Sequence, residues 1–249
     1  MSDKRLQKTD NPLGPGEGTT AKGSDVDAFV RHVRALGAMK GATAAGRLVL
    51  ALDATMSRQP SWDLACRLQG DMFEAVGRTA LNVQLVYFRG FGECRASKFV
   101  NDTAELTRLM TKIDCRGGHT QIGKVLAHAL TENAREKIDA LVYIGDAMEE
   151  NVDDLADKAG QLGLLGVPVF VFQEGRDAGV ETAFREIARL SKGAWFRFDQ
   201  QSAATLARLL SSIAVFATGG LKALEARGSA SDRLLLENLG RKGQGGSQR

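Results

Sequence analysis

Short apolar runs alternate with amphipathic stretches along most of the chain. The runs, many of them rich in β-branched or aromatic residues, are typical of strands buried on both faces, whereas apolar residues at helical spacing indicate helices. The predicted strands are residues 48–52, 83–88, 141–144, 167–172 and 194–198, and the predicted helices are residues 62–76, 121–130, 152–162, 182–190 and 203–216. This alternation predicts an α/β, Rossmann-like three-layer domain with helices on both faces of a mostly parallel central sheet. Residues 93–100 are expected to add one antiparallel edge strand.

The two ends of the chain differ in composition from its middle. Residues 1–24 are rich in Gly, Pro and polar residues, which predicts a flexible N-terminal tail. Apolar residues at helical spacing after Ser24 predict a lead-in helix over residues 25–39. We therefore expect the α/β domain to occupy residues 25–227. Residues 228–249 are predicted to be a flexible basic tail, although three consecutive leucines at 234–236 offer an apolar surface for docking.

The charge distribution argues against nucleic acid as a partner. The chain has 33 Lys and Arg against 30 Asp and Glu. Residues 1–24 have four basic and three acidic residues, and residues 228–249 have four and two, so the two ends carry the whole excess of +3 and residues 25–227 are neutral. A protein that neutralises phosphates is expected to carry its basic excess on the folded domain.

Cysteine usage and hydropathy favour a reduced, cytoplasmic protein. The three cysteines, Cys66, Cys94 and Cys115, form no C-x-x-C pair, which disfavours a disulfide framework and a cysteine-rich zinc site. The charged N-terminal residues are not followed by the apolar segment of a secretory signal. The apolar stretch around residues 213–217 is shorter than the roughly 20 residues of a membrane helix, so no membrane association is expected.

Oxygen-bearing side chains follow the first predicted strand. Ligands of an open parallel sheet bind beyond the carboxyl ends of its strands. Asp53 ends the first apolar run, and Thr55 and Ser57 follow at positions i+2 and i+4, which project to the same side of an extended chain. Carboxylate and hydroxyl oxygens are hard ligands that suit Mg²⁺. Asp53, Thr55 and Ser57 are therefore candidate metal ligands.

Two further candidates come from later in the chain. Thr120 follows the glycine pair Gly117 and Gly118 and His119, directly before a predicted helix. Asp146 ends the apolar run of residues 141–145. Because all of these positions are at strand or loop ends, the predicted fold can bring them to one site.

Together these residues resemble the metal-ion-dependent adhesion site of von Willebrand factor A-type (VWA) domains. The pattern is Asp53-x-Thr55-x-Ser57, then Thr120 after a glycine pair, then Asp146 after an apolar strand, and the resemblance covers roughly residues 45–217. It implies that Asp53, Thr55, Ser57, Thr120 and Asp146 hold Mg²⁺ or Mn²⁺. The sequence departs from the family pattern at Met56 and Ala147, where the family often has glycine, and at His119, which is inserted before the threonine.

The resemblance also implies a function. In VWA domains the open position of the metal takes an acidic side chain of a partner, so the chain is expected to be a non-enzymatic, metal-dependent protein-interaction module. Intracellular members of the family commonly work with ATPases or chaperone-like machines. The expected partner is therefore a protein that presents Asp or Glu, with an ATPase or a chaperone-like machine as the candidate, and not a nucleic acid or a membrane.

Three alternatives stay open at this stage. Gly118 to Lys124 has the glycine and lysine spacing of a phosphate-binding loop, but Val125 stands where that motif has a hydroxyl. Asp53 could be the nucleophile of a Mg²⁺-dependent phosphohydrolase of haloacid-dehalogenase type, with Lys124 as an accessory lysine. The third alternative is a scaffold that binds partners without metal.

Two neighbouring features have simpler interpretations. His119 could tune the metal loop, but a histidine in a glycine turn is expected to be a solvated loop residue. The acidic segment 149–154 could be a second cation site, but acidic residues that enter a predicted helix are expected to favour the dipole of that helix.

Overall fold

The computed structural model describes residues 45–55, 70–76, 80–198 and 203–240. The strands are β1 (Gly46–Asp53), β2 (Leu81–Arg89), β3 (Glu93–Val100), β4 (Ala140–Gly145), β5 (Val169–Glu174) and β6 (Ala194–Phe198). The helices are α1 (Gly70–Val76), α2 (Thr103–Met110), α3 (Ile122–Arg135), α4 (Val152–Leu164), α5 (Ala178–Leu190), α6 (Ala203–Arg227) and α7 (Ala230–Gly240). The predicted N-terminal tail and lead-in helix lie outside the described residues.

The six strands form one sheet in the order β3-β2-β1-β4-β5-β6. All neighbouring pairs are parallel except β2 and β3, which pair antiparallel. The predicted mostly parallel sheet with one antiparallel edge strand is thus confirmed. The strand order reverses between β1 and β4, and in an open α/β sheet this switch point is where a ligand crevice forms.

Alternate residues of β1 pack into two separate apolar cores, one on each face of the sheet. Leu48, Leu50 and Leu52 join a core that includes apolar residues of α1 and α6. Val49 and Ala51 join the core formed with α3, α4 and α5. All five side chains are buried, because a strand covered by helices on both faces has no solvent-facing side. The three predicted layers are present.

Helix α2 has no counterpart among the predicted helices. Asp102 is its N-cap, and the Asp102 carboxylate accepts the Glu105 N–H at 3.3 Å. Leu106 and Met110 are buried in the core on the α1 and α6 side of the sheet. An acidic cap three residues before Glu is a recognisable start signal, so the sequence did contain evidence for this helix.

Helix α6 extends well beyond the predicted end at residue 216. Within the described residues, the segment Ala204–Arg227 is the one helical stretch whose length and mean hydropathy would also suit a membrane span. Half of the most apolar 18-residue window of that stretch is buried in the protein, and Leu210 and Ile213 lie in the core. Gly220, with φ of 65°, interrupts the helical backbone. The stretch therefore behaves as a core helix with a kink.

Helix α7 corrects the prediction that a flexible tail begins at residue 228. Ser229 and Asp232 cap each other, because the Ser229 hydroxyl accepts the Asp232 N–H and the Asp232 carboxylate accepts the Ser229 N–H. Arg227 donates to the same buried carboxylate. Leu235, from the leucine run, is fully buried in the core. The Gly- and Ser-rich composition of the segment concealed this capped helix, whose apolar face docks on the domain.

Asp232 is a buried carboxylate whose ionised form is stabilised by its neighbours. Burial opposes ionisation, but the hydrogen bonds from Arg227 and Ser229 outweigh it and hold the pKa of Asp232 well below its usual range. A carboxyl with a lowered pKa in the folded state stabilises the fold above its unfolded-state pKa of about 4, and this contribution is lost as the pH falls below that value.

Asp232→Asn is expected to lower the free energy of unfolding by about 1–3 kcal/mol at pH 7, because Arg227 and the Ser229 N–H lose a charged acceptor. Urea unfolding of the variant and the wild type measures the difference. The exposed Glu237, in the same helix, provides the control Glu237→Gln. A difference for Asp232→Asn that does not shrink below about pH 4 would contradict the assignment.

Candidate metal centre

The two candidate carboxylates come from the neighbouring strands β1 and β4. Leu52 pairs with Ile144, so the next residues, Asp53 and Gly145, lie side by side, and Asp146 follows directly. Both aspartates are therefore at the carboxyl ends of parallel strands, at the point where the strand order reverses. The sheet register alone brings the side chains to one end of the domain.

Asp53 is 3% exposed and is oriented by the backbone that follows it. Its Oδ1 accepts the Thr55 N–H at 2.8 Å, which is a turn typical of aspartate. The Ala54 N–H donates to the Phe88 carbonyl, and the Ala54 carbonyl accepts the Arg116 N–H. These bonds hold the start of the Asp53 loop between β2 and the loop that carries Thr120. Ser57, the third predicted ligand of this loop, and Met56 lie outside the described residues.

Thr120 is buried and exchanges two hydrogen bonds with Glu149. The Thr120 N–H donates to Glu149 Oε2 at 3.0 Å, and Thr120 Oγ1 accepts the Glu149 N–H at 3.0 Å. A hydroxyl oxygen has two lone pairs, so the bond from Glu149 leaves a second one for a cation. The Thr120 loop is thus joined directly to the loop that follows β4 and carries Asp146.

His119 and Glu149 form an exposed pair beside Thr120. The expected exposure of His119 is confirmed, since its side chain is 65% exposed, but its Nδ1 also lies 3.0 Å from Glu149 Oε2. The N–H of Thr120, followed by the His119 imidazole, lowers the pKa of the Glu149 carboxyl. Glu149 is consequently an ionised group at neutral pH that orients the Thr120 loop.

The expectation that the acidic residues of segment 149–154 serve the helix they enter holds for Asp153 and Asp154, in the first turn of α4, but not for Glu149 and Glu150. Helix α4 is capped by Asn151, whose side chain accepts the Asp153 and Asp154 N–H groups. Glu150 instead accepts the Ile122 N–H at 2.5 Å and the Gly123 N–H at 3.0 Å, at the start of α3. Glu150 therefore stabilises the N-terminus of a helix, as an acidic residue is expected to do, but that helix is α3 and not α4.

Four of the five predicted ligands line one cavity of about 240 Å³. The residues that line it are Asp53, Thr55, Gly117, Gly118, Thr120, Asp146, Ala147 and Glu149. The structure thus brings Asp53, Thr55, Thr120 and Asp146 together. Glu149 is the wall residue that the sequence did not identify as part of the site, because its role depends on contacts with residues about thirty positions earlier.

The chemistry of this cavity fits a hard divalent cation. Asp53 Oδ2 and Asp146 Oδ1 are both buried oxygens. Two carboxylates at one small cavity repel each other, and a cation between them would remove that repulsion. The hydroxyls of Thr55 and Thr120 add neutral oxygen donors. The described part of the chain contains no group of three or more His, Cys, Asp or Glu side chains placed to hold a metal ion, so a cation here would depend on the two aspartates and the neutral hydroxyls.

Solved structures resemble this arrangement of strands and helices. A von Willebrand factor type A protein from Catenulispora acidiphila matches with a TM-score of 0.58 and 18% identity over 71% of this chain and 43% of that one. The SpRpn10 VWA domain matches with a TM-score of 0.52 and 11% identity over 66% of this chain and 95% of its own. The chain has the von Willebrand factor A-type fold.

A third match comes from a protein whose description names no von Willebrand domain. An aerotolerance-related membrane protein from Bacteroides fragilis, crystallised with multiple mutations to serines, has a TM-score of 0.51 and 20% identity over 66% of this chain and 96% of that one. No protein-family model and no curated protein sequence matches the chain. At these identities the likeness establishes the VWA fold, while the site must be argued from this chain's own residues.

The phosphate-binding-loop alternative does not agree with the VWA fold. Residues 113–121, which precede α3, form no strand, and Val125 is fully buried. The Lys124 Nζ donates to the Gly92 carbonyl and to Gln121 Oε1, each at 2.9 Å. Lys124 therefore fastens the hairpin between β2 and β3 to α3.

That hairpin lies directly against the Thr120 loop. The His119 N–H donates to the Gly90 carbonyl at 3.2 Å, and the Gln121 side chain donates to the carbonyls of Arg89 and Gly90. A Cβ atom on Gly118 would lie only 2.2 Å from the Gly90 oxygen. Glycine at position 118 therefore permits the two backbones to touch.

Gly118→Ala is expected to lower the free energy of unfolding by about 1–3 kcal/mol, because the new methyl group must push the hairpin away from the Thr120 loop. Urea unfolding measures the loss. Gly117→Ala is the matched control, since a Cβ at Gly117 has no heavy atom among the described residues within 4 Å. Equal effects of the two substitutions would show that the contact between the two backbones is not required.

Proposed function

We propose that this chain is a VWA-type protein-interaction module that binds an acidic residue of a partner through Mg²⁺ or Mn²⁺. The observation that carries the proposal is the single cavity lined by Asp53, Thr55, Thr120 and Asp146. These residues, with Ser57, would hold the cation. When bound, the cation supplies a coordination position for a carboxylate oxygen of the partner.

Each of the described residues has a distinct part in this proposal. Asp53 and Asp146 supply negative charge from the ends of β1 and β4. Thr55 and Thr120 add neutral hydroxyl oxygens, and the bonds from Glu149 keep the Thr120 loop against the site. The charges of Asp53 and Asp146 balance a divalent cation, and a coordination position that the protein does not fill can accept a carboxylate oxygen from outside.

The proposed activity is binding and not catalysis. Lys124, the accessory lysine of the phosphohydrolase alternative, is not among the residues that line the cavity, and its amine bonds to the hairpin. We further propose a cytoplasmic module whose partner is a protein, with an ATPase or a chaperone-like machine as the candidate. Neutrality of residues 25–227 supports a protein partner over a nucleic acid.

Addition of Mg²⁺ or Mn²⁺ to chelator-treated protein is expected to give saturable heat and a higher Tm. A ligand that binds only the folded state stabilises it by about 2.7 kcal/mol at a hundredfold excess over Kd. Isothermal calorimetry and thermal unfolding measure the two effects. Asp53→Ala is expected to fold and to lose both responses, because Asp53 supplies one of the two carboxylates.

The surface aspartate Asp157, exposed on α4, gives the matched control Asp157→Ala, which should titrate like the wild type. Metal affinity that is intact in Asp53→Ala would remove the proposed site. Absence of binding in the wild type would favour the metal-free scaffold.

The same protein, loaded with Mg²⁺, is expected not to hydrolyse p-nitrophenyl phosphate above the background of the Asp53→Asn variant. The reason is that no described lysine lines the cavity to assist phosphoryl transfer. Absorbance of released nitrophenolate measures the rate. Metal-dependent turnover that disappears in Asp53→Asn would replace the binding proposal with the phosphohydrolase alternative.

A further inference from the structure

Phe91 is an exposed aromatic residue at the tip of the hairpin between β2 and β3. Its side chain is 86% exposed, which is unusual for phenylalanine. The Phe91 ring meets the His119 imidazole edge to face, with 5.2 Å between the ring centroids. His119 contacts Glu149, a wall residue of the metal cavity. One side chain therefore separates Phe91 from the edge of the proposed site.

The tip is held in place on both sides of Phe91. The carbonyl of Gly90 accepts the His119 N–H, and the carbonyl of Gly92 accepts Lys124 Nζ. These bonds connect the hairpin to the segment that also carries Thr120. The backbone that carries Phe91 is thus anchored near the cavity, so less backbone entropy is lost when the ring is covered than at a free loop tip.

Phe91 contributes no apolar contact to the folded core. The ring is absent from both apolar cores, and its one described ring contact is with the exposed His119. Leu164, at the end of α4, is similarly exposed at 85% and gives a matched reference for the effect of surface apolar area alone.

We infer that Phe91 is a specificity-determining contact, and that the partner segment carries a large apolar side chain within about three residues of its metal-bound Asp or Glu. This inference rests on the proposed function. An extended chain advances about 3.3 Å per residue, so a separation of this size reaches from the cavity across His119 to the Phe91 ring. The partner's apolar group would pack on the exposed surface that the ring and the imidazole form together.

The charge at the cavity edge restricts the same segment further. The Glu149 carboxylate lies between the cavity and Phe91. A second acidic residue of the partner would meet this charge, so one carboxylate flanked by apolar or basic residues is the expected pattern. An aspartate-rich segment is disfavoured.

Selection from a random peptide library displayed on phage tests the inference. The bait is the full chain in Mg²⁺, bound phage are released with EDTA, and parallel selections use Phe91→Ala, Leu164→Ala and Asp53→Ala. Wild type and Leu164→Ala are expected to enrich peptides with one Asp or Glu and a large apolar residue within about three positions. Phe91→Ala should keep the acidic requirement and lose the apolar one.

A synthetic peptide from the selection then gives a double-mutant cycle. Replacement of its apolar residue by Ala, or of Phe91 by Ala, should each weaken binding about tenfold or more, and the two changes together should cost little more than either one. Urea unfolding of Phe91→Ala should match the wild type, because the ring is exposed.

The outcomes separate the two proposals. Acidic peptides that are enriched equally on wild type and Phe91→Ala, without an apolar preference, would overturn this inference and leave the metal-dependent function standing. Enrichment that survives EDTA or the Asp53→Ala substitution would overturn the metal-dependent function. No enrichment of acidic peptides on the wild type would count against both.

Discussion

The parallel pairing of β1 with β4 is the constraint on which the candidate site depends. Asp53 and Asp146 are 93 positions apart in the sequence, yet the pairing of Leu52 with Ile144 makes them neighbours at one end of the sheet. A slip of one residue would turn the side chains of β1 to the opposite face and exchange its two apolar sets. The tight packing of both cores therefore also determines where the two carboxylates lie.

The loops around the carboxylates are ordered by bonds among themselves. The Thr120 loop bonds to the loop after β4 through Glu149 and to the hairpin through Gly90. Glu150 holds the start of α3 from the same β4 loop. Loops that bind ligands are generally mobile, but here three of them restrain one another. These bonds thus restrain the loops that carry Thr120 and Asp146 relative to each other.

The strands, and the polar residues that directly follow them, could be predicted because they depend on local patterns. The apolar run around Leu50 predicts a buried strand, and Asp53 follows because parallel strands end at a common edge. The α7 helix could not be predicted from periodicity, since its stability depends on the Arg227 to Asp232 pair and on the docking of Leu235. The role of Glu149 was likewise hidden, because a helix dipole explains an acidic residue before α4 equally well. Both features depend on contacts between segments that are distant in the sequence, which local patterns do not reveal.

The capping of α3 by Glu150 makes this end of the domain less attractive to anions. A helix N-terminus attracts anions, but here the first N–H groups of α3 already bond to a carboxylate of the same chain. Asp53, Asp146 and Glu149 add negative charge at the neighbouring cavity. Under the proposed function this negative surface repels an acidic partner when no cation is bound, whereas a divalent ion offsets two of the three cavity charges and offers a coordination position to the partner's carboxylate. Metal supply would then act as an on-off control of association that needs no change of shape.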